Sequence, residues 1–249
     1  MSLENSSGSA PPPQRYLILD LARSLALLAM VIFHLTWDLA MFGYLPPETP
    51  GTGFFWYFAR LTAGSFIFLA GIGLWLSHGA GIRWPAFWRR AAKILAAAVL
   101  VSLGTRIAMP QVWVFYGILH SILVSSLLGL AFLRLPWPLV LGIAAFVFAL
   151  PWLYANPVFG GALIWTGLSG VSPYTADFEP LFPWFAPFLA GMVAAKLMGR
   201  YGLWQRLALP ATPLLRRLAW PGKHSLLIYL LHQPLLIGLL SAIAWLRAF

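Results

Sequence analysis

Cysteine is absent from the 249 residues. Disulfides are therefore excluded, and so are metal sites built on thiolates. Charge is nearly as scarce, with 9% of residues charged and only 6 acidic, where a soluble domain is about one-quarter charged. A water-soluble fold is excluded at that level, because 61% of the chain is hydrophobic and the mean hydropathy is +0.82. The net charge of +10 is no nucleic-acid signal, since the basic residues lie in connections between apolar runs. An internal repeat is also missing, which counts against a transporter built from inverted halves. No basic stretch precedes an apolar core with a cleavage site, so no removable signal peptide is expected, and the first apolar run would serve as an uncleaved anchor. Residues 1–14, MSLENSSGSAPPPQ, are rich in Ser and Pro and are expected to form a disordered cytoplasmic tail. Residues 15–249 are expected to form one transmembrane domain.

Apolar runs long enough to cross a bilayer, about 20 residues each, are what the chain has in their place. Seven are expected, at 16–42, 53–77, 86–108, 112–133, 138–154, 181–199 and 222–247. The fold class is thus an all-α, polytopic helical bundle. Arg15, the group Arg83, Arg89, Arg90 and Lys93, then Arg134, Lys196, Arg200, Arg206, Arg216, Arg217 and Lys223 fall at one face, while the other carries Arg60, Arg106 and Arg247. The positive-inside rule then puts the N-terminus in the cytoplasm and the C-terminus outside. Trp56, Tyr57, Trp113, Trp152 and Trp184 would belt the outer interface, and Trp84, Trp88, Trp137 and Trp220 the inner one. The long connection 155–180 has no Lys or Arg and holds Asp177 and Glu179. Its Gly and Pro residues break it too often for a span, and it could dip into the membrane only against protein or water.

The first span carries a polar stripe in RSLALLAMVIFHLTWD. On an ideal helix Arg23 and His34 lie within about 20° of each other around the axis and about 16 Å apart along it. Asp38 follows His34 at a spacing that lets the two touch, and Asp20 falls on the same side. Ionisable groups inside a bilayer are costly and mark a functional site by default. Counted from Tyr16, Arg23 lies about 10 Å in and His34 about 27 Å in. Arg60, Arg106, Tyr116 and His120 belong to the outer halves of their spans, so an outer cluster of His34, Asp38, Arg60, Arg106, Tyr116 and His120 is expected. In the last span Ser225, Tyr229 and His232 share one face, and Pro234 is expected to kink the helix by denying a proton to the carbonyl of Leu230.

These residue types suit a transfer reaction. A neutral His beside a carboxylate is a general base near pH 7, and arginines offer fixed positive charge to a phosphorylated donor or a developing oxyanion. Carboxylates and arginines among the histidines argue against a metal cage, so no metal is expected. Each residue has a plainer alternative. His34 with Asp38 could be a structural hydrogen-bonded pair. Arg23 with Asp20 could be an interfacial ion pair, and Arg60 and Arg106 could snorkel to the interface. Tyr116 with His120 could be a buried helix-to-helix hydrogen bond. Asp177 and Glu179 could be a solvated loop, and His78 and His224 are expected to be solvated at the inner face.

The stretch LDLARSLALLAMVIFHLTWDL resembles the first span of integral-membrane acyltransferases that decorate cell-surface sugars, in which Arg, ten residues and then His recur as Arg23 and His34 do here. GSFIFLAGIGL resembles the next span of those proteins, with Ala70 where they carry Ser. VFYGILHSI, ADFEPLFPWFAPFLAGM and GKHSLLIYLLHQPLL resemble bacterial proteins grouped with the heparan-alpha-glucosaminide N-acetyltransferase catalytic domain, and the likeness runs over most of the chain from Arg15. The lysosomal enzyme of that group has Asn where this chain has His34, and its reactive His lies further along, where this chain has none. His34 as the reactive residue follows the sugar O-acyltransferase pattern instead.

The resemblance implies a transmembrane acyltransferase of the bacterial inner (plasma) membrane. It would move an acyl group, acetyl above all, from cytoplasmic acetyl-CoA or another acyl-CoA to an external sugar hydroxyl or amine. His34, Asp38, His120 and His232 are the candidate catalytic residues. Arg23, Arg60, Arg106, Tyr116, Tyr229 and Asp177 are the candidate binding residues. Membrane lipid, the acyl-CoA and an external glycan or other small acceptor are the expected partners, with a homo-oligomer possible and no nucleic acid. A proton-coupled transporter using the same stripe and a non-catalytic scaffold are the rival classes.

Overall fold

The computed structural model describes residues 16–247, so the expected tail at 1–14 lies outside them. Among the described residues every regular element is helical, and one isolated bridge joins Tyr116 to Phe178. Seven helices build the bundle: α1 (Leu17–Met41), α2 (Gly53–His78), α3 (Trp84–Ala108), α4 (Ile118–Gly129), α5 (Trp137–Leu153), α6 (Leu181–Arg200) and, last in the chain, α10 (Ser225–Arg247). Three short ones, α7 (Leu203–Arg206), α8 (Pro213–Leu218) and α9 (Trp220–Lys223), link α6 to α10. Helices α1, α2, α3, α6 and α10 are long and apolar enough to cross a membrane, whereas Ile118–Phe132 and Trp137–Leu153 are shorter apolar helices. The protein is an all-α membrane bundle, and the expected spans fall on these seven helices.

Close helix approach organises the core. At Gly71 an added Cβ would collide with the Phe188 carbonyl, and at Gly191 with the Phe68 carbonyl. The two glycines thus let the backbones of α2 and α6 touch, which is how helices associate where lipid supplies no hydrophobic drive. Ile67, Leu74, Phe188 and Leu189, all fully buried, fill the space between these helices and their neighbours. Gly222 is as tight, since a Cβ there would meet the Asp20 carbonyl, and its N–H donates to Ser24 Oγ at 2.8 Å. That contact ties α9, just ahead of α10, to the start of α1, and α1 and α10 then run side by side in the same direction.

Two expectations change. The fourth helix starts at Ile118 rather than near residue 112. Pro110–Val112 makes a 3-10 turn, and the chain then runs on to Gly117 alongside residues 175–179. Helix α4 begins only where side chains can satisfy its first N–H groups. Pro234 lies inside α10, which continues as one helix through it. His78 is buried rather than solvated, with Nδ1 accepting the Arg83 N–H at 3.2 Å and so closing the turn between α2 and α3.

Candidate active site

Two cavities enter the bundle from its two ends. The one at the basic end, about 330 Å³, is walled by Arg23, Arg90, Lys93 and Lys223, with Ala70, Leu119 and Ile122 below them. Arg23 reaches it from α1, paired with the buried Asp20 at 3.0 Å. The ion pair expected there forms, and it leaves the guanidinium in the cavity wall. The sequence pointed to the group at 83–93 as a whole; α3 turns Arg90 and Lys93 of that group inward.

The cavity at the far end is about 1390 Å³ and is lined by His34, Arg60, Asp177 and Glu179 together with aromatic side chains. Trp56, Tyr57, Trp152 and Trp184, expected as an interfacial belt, form part of this wall. Phe66, Ile118 and Tyr229 line both cavities, so they form the partition between them.

The polar centre lies against that partition, between α1 and α10. His34 packs edge-on against His232 with ring centroids 4.8 Å apart, and His232 lies 5.7 Å from the Tyr229 ring. A row of three rings thus runs from the partition to the far cavity. His232 Nδ1 is 2.5 Å from the Tyr229 carbonyl. A carbonyl only accepts, so Nδ1 carries the proton and Nε2 keeps its lone pair. That Nε2 is buried without a hydrogen-bond partner among the described residues. The expected contact between His34 and Asp38 is not made among them. Asp38, fully buried, instead accepts from Gln233 Nε2 at 2.8 Å. The spacing along α1 permits a His34–Asp38 contact but does not impose one, and the amide of Gln233 supplies a ready donor from α10. Gln233 was not among the residues singled out in the sequence; a second polar residue directly after His232 in an apolar helix was the available signal.

The rest of the expected outer cluster disperses. Arg60 does line the far cavity, its guanidinium 3.5 Å above the Trp56 ring and Nη1 donating to the Trp56 carbonyl at 3.2 Å. Arg106 lines neither cavity; it donates to the Pro110 carbonyl at 3.4 Å and lies 5.6 Å from the Trp113 ring. His120 is a helix cap. Its Nδ1 accepts the Gly117 N–H at 3.2 Å, so the proton sits on Nε2, which faces Ser102 Oγ at 3.4 Å. With its lone pair engaged in α4's first turn, the ring has none to offer a substrate. Tyr116 is buried against His120 and Trp165, and it lines neither cavity.

Asp177 is not a solvated loop residue. Its Oδ2 accepts the Ile118 N–H at 3.0 Å, capping α4 from a distant segment while also lining the far cavity. Thr175 Oγ donates to the Trp113 carbonyl at 2.7 Å, and the Ala176 N–H donates to the Val112 carbonyl at 2.8 Å, which holds the 175–179 segment in place. Burial raises the Asp177 carboxyl to about 6 against the pull of the Ile118 N–H. Glu179 is raised well above the usual carboxylate range by burial and by Asp177 beside it, with Arg60 opposing. Among the described residues no group of three His, Asp or Glu side chains could hold a metal ion.

Comparison with curated proteins returned no match, and comparison with solved structures returned none either. A family model does match, that of the heparan-alpha-glucosaminide N-acetyltransferase catalytic domain, over residues 15–234. That stretch takes in α1 to α9, the polar centre and both cavities. The chain therefore belongs to the heparan-alpha-glucosaminide N-acetyltransferase catalytic-domain family, a family of membrane acetyltransferases.

Proposed function

We propose that the protein carries an acyl group across the bilayer, from an acyl-CoA entering the basic end to a hydroxyl or amine acceptor in the far cavity. One observation carries this reading: two cavities of opposite character share the wall formed by Phe66, Ile118 and Tyr229. Four cations around a small cavity suit the phosphates of coenzyme A, with Arg23 and Arg90 able to bind them bidentately. Aromatic faces with half-buried carboxylates suit a polar, ring-shaped acceptor such as a sugar. Family membership favours transfer over proton-coupled transport. The basic end faces the cytoplasm under the positive-inside rule, which for a bacterial inner-membrane protein puts the acceptor outside.

The chemistry follows from the pair of histidines. His34 takes the proton of the acceptor hydroxyl or amine as that atom attacks the thioester carbonyl; the new C–O or C–N bond forms, the C–S bond breaks, and the proton is returned to the departing thiolate. In the covalent variant a nitrogen of His34 attacks first and the acceptor then displaces it. His232, its tautomer fixed by the Tyr229 carbonyl, presents a basic nitrogen to the His34 side and stabilises the charged ring. In this reading Asp38 acts through Gln233, holding α10 against α1, and His120 has a structural part.

Membrane vesicles of known sidedness test the proposal. Acetyl-CoA outside inverted vesicles should bind saturably and lose its acetyl group to a sugar acceptor supplied in the lumen, while right-side-out vesicles should not consume it. His34→Ala should abolish transfer and keep acetyl-CoA binding. Full transfer by purified His34→Ala, or no binding by the wild type, would refute it.

A further inference from the structure

The partition between the cavities is built from bulky side chains, and this bears on which acyl groups the donor can bring. The basic-end cavity, about 330 Å³, is at the small end of ligand sites. Below its ring of cations the walls are apolar, with Leu69, Ala70, Leu119 and Ile122. Phe66 and Ile118 shut its deep end beside Tyr229, and Ile118 is held there because it opens α4 under the Asp177 cap. Phosphates bound at the cations must direct the thioester toward this closed end. The acyl chain is then the part of the donor that meets the partition.

Resting on the donor reading above, we propose that Phe66 and Ile118 set the acyl length, making the basic-end cavity a blind cup that accepts two carbons and rejects longer chains. The far cavity is about four times larger, so nothing beyond the partition selects for shortness. The restriction lies in the two side chains themselves. An apolar pocket distinguishes one methylene by roughly 10- to 200-fold, and two added methylenes should therefore exclude butyryl almost completely. Packing around the partition opposes relaxation, since Ile118 is 8% exposed and its neighbour Leu119 is 7% exposed.

The test is the affinity of the full-length protein in lipid nanodiscs for CoA, acetyl-CoA, propionyl-CoA and butyryl-CoA, measured by calorimetry. The readout is the ratio of butyryl-CoA to acetyl-CoA affinity, which does not require an acceptor. In the wild type this ratio should be about 0.01 or less. Phe66→Ala should raise it by about tenfold or more, and the milder Ile118→Val should raise it in the same direction. Retained binding of plain CoA shows that each variant is folded. Both variants binding CoA with the wild-type ratio would overturn the assignment, as would a wild type that takes butyryl-CoA as well as acetyl-CoA. No CoA binding by the wild type would instead overturn the donor reading on which the assignment rests.

Discussion

Replacing Gln233 by Leu removes the donor that reaches Asp38 from α10 at 2.8 Å. Asp38 is fully buried, and its Oδ2 has no hydrogen-bond partner among the described residues. The substitution therefore strips the hydrogen bond from a carboxyl group that water cannot reach. Interhelical hydrogen bonds within membranes average only about 0.6 kcal/mol, but an orphaned buried polar group adds about 1–3 kcal/mol. A loss of about 2 kcal/mol is expected, comparable to the loss from Asp38→Leu, which orphans the amide instead. The double variant Asp38→Leu with Gln233→Leu should recover at least half of either loss, because replacing both partners leaves nothing unsatisfied. Reversible unfolding in mixed micelles would measure all four corners of the cycle. Strict additivity, or a Gln233→Leu variant as stable as the wild type, would show that the clamp between α1 and α10 does not hold the helices together.

Three further outcomes follow from the geometry. Arg90→Ala should weaken acetyl-CoA binding by about tenfold or more, and Arg90→Lys should restore little of it because Lys lacks the planar fork; titration calorimetry reads both. Asp177 is raised to about 6 from an unfolded carboxyl near 3.9, so its contribution to stability is full below about 4 and is lost as pH rises through about 6. Melting of the wild type across pH 4–7 should show that decline, and Asp177→Asn, which keeps an acceptor for the Ile118 N–H, should show a smaller one, the remainder coming from Glu179, which burial also raises. Gly191→Ala would push a Cβ into the Phe68 carbonyl, a backbone atom that cannot step aside, and should lower stability by about 2 kcal/mol or more in the same unfolding assay.

Hydropathy was enough to locate the helices, because a span is a local property of about 20 residues. Five of the seven expected starts lie within two residues of those observed. The fourth does not, since α4 begins where Asp177, 59 residues away, supplies its cap, and no local pattern records such a distant partner. The last begins at Ser225, because the residues expected to open it form α9 instead. Arg23, His34 and His232 were legible because buried charge and imidazole stand out in an apolar helix. Their partners were less so. Rotation about the helix axis was not legible, and rotation decides whether Arg106 meets a cavity or its own C-terminal turn. His120 shows the same limit: its role in the first turn of α4 was hidden because capping depends on the direction of one ring nitrogen. The partition was invisible for a further reason. Phe66 and Ile118 are ordinary core residues by type, and only the meeting of α2, α4 and α10 gives them two faces.

That meeting also bears on how an acyl group could cross without opening the membrane. Two water-accessible cavities joined end to end would be a pore, and each elementary charge leaking through it would dissipate about 2.3 kcal/mol per 100 mV. Acyl transfer needs no such opening. Only the carbonyl carbon has to be reached from both sides, by sulfur from the basic end and by the acceptor from the other. A partition one side chain thick permits that while excluding ions, provided that the groups handling the proton stand beside it rather than in either mouth. The row Tyr229, His232 and His34, with ring spacings of 5.7 and 4.8 Å, has that placement. It begins in the shared wall and ends in the far cavity, where the acceptor's proton would be released. The same placement keeps His34 and His232 together near the meeting of the cavities: a continuous polar track would conduct protons, whereas an isolated pair flanked by apolar walls can only pass one between bound reactants.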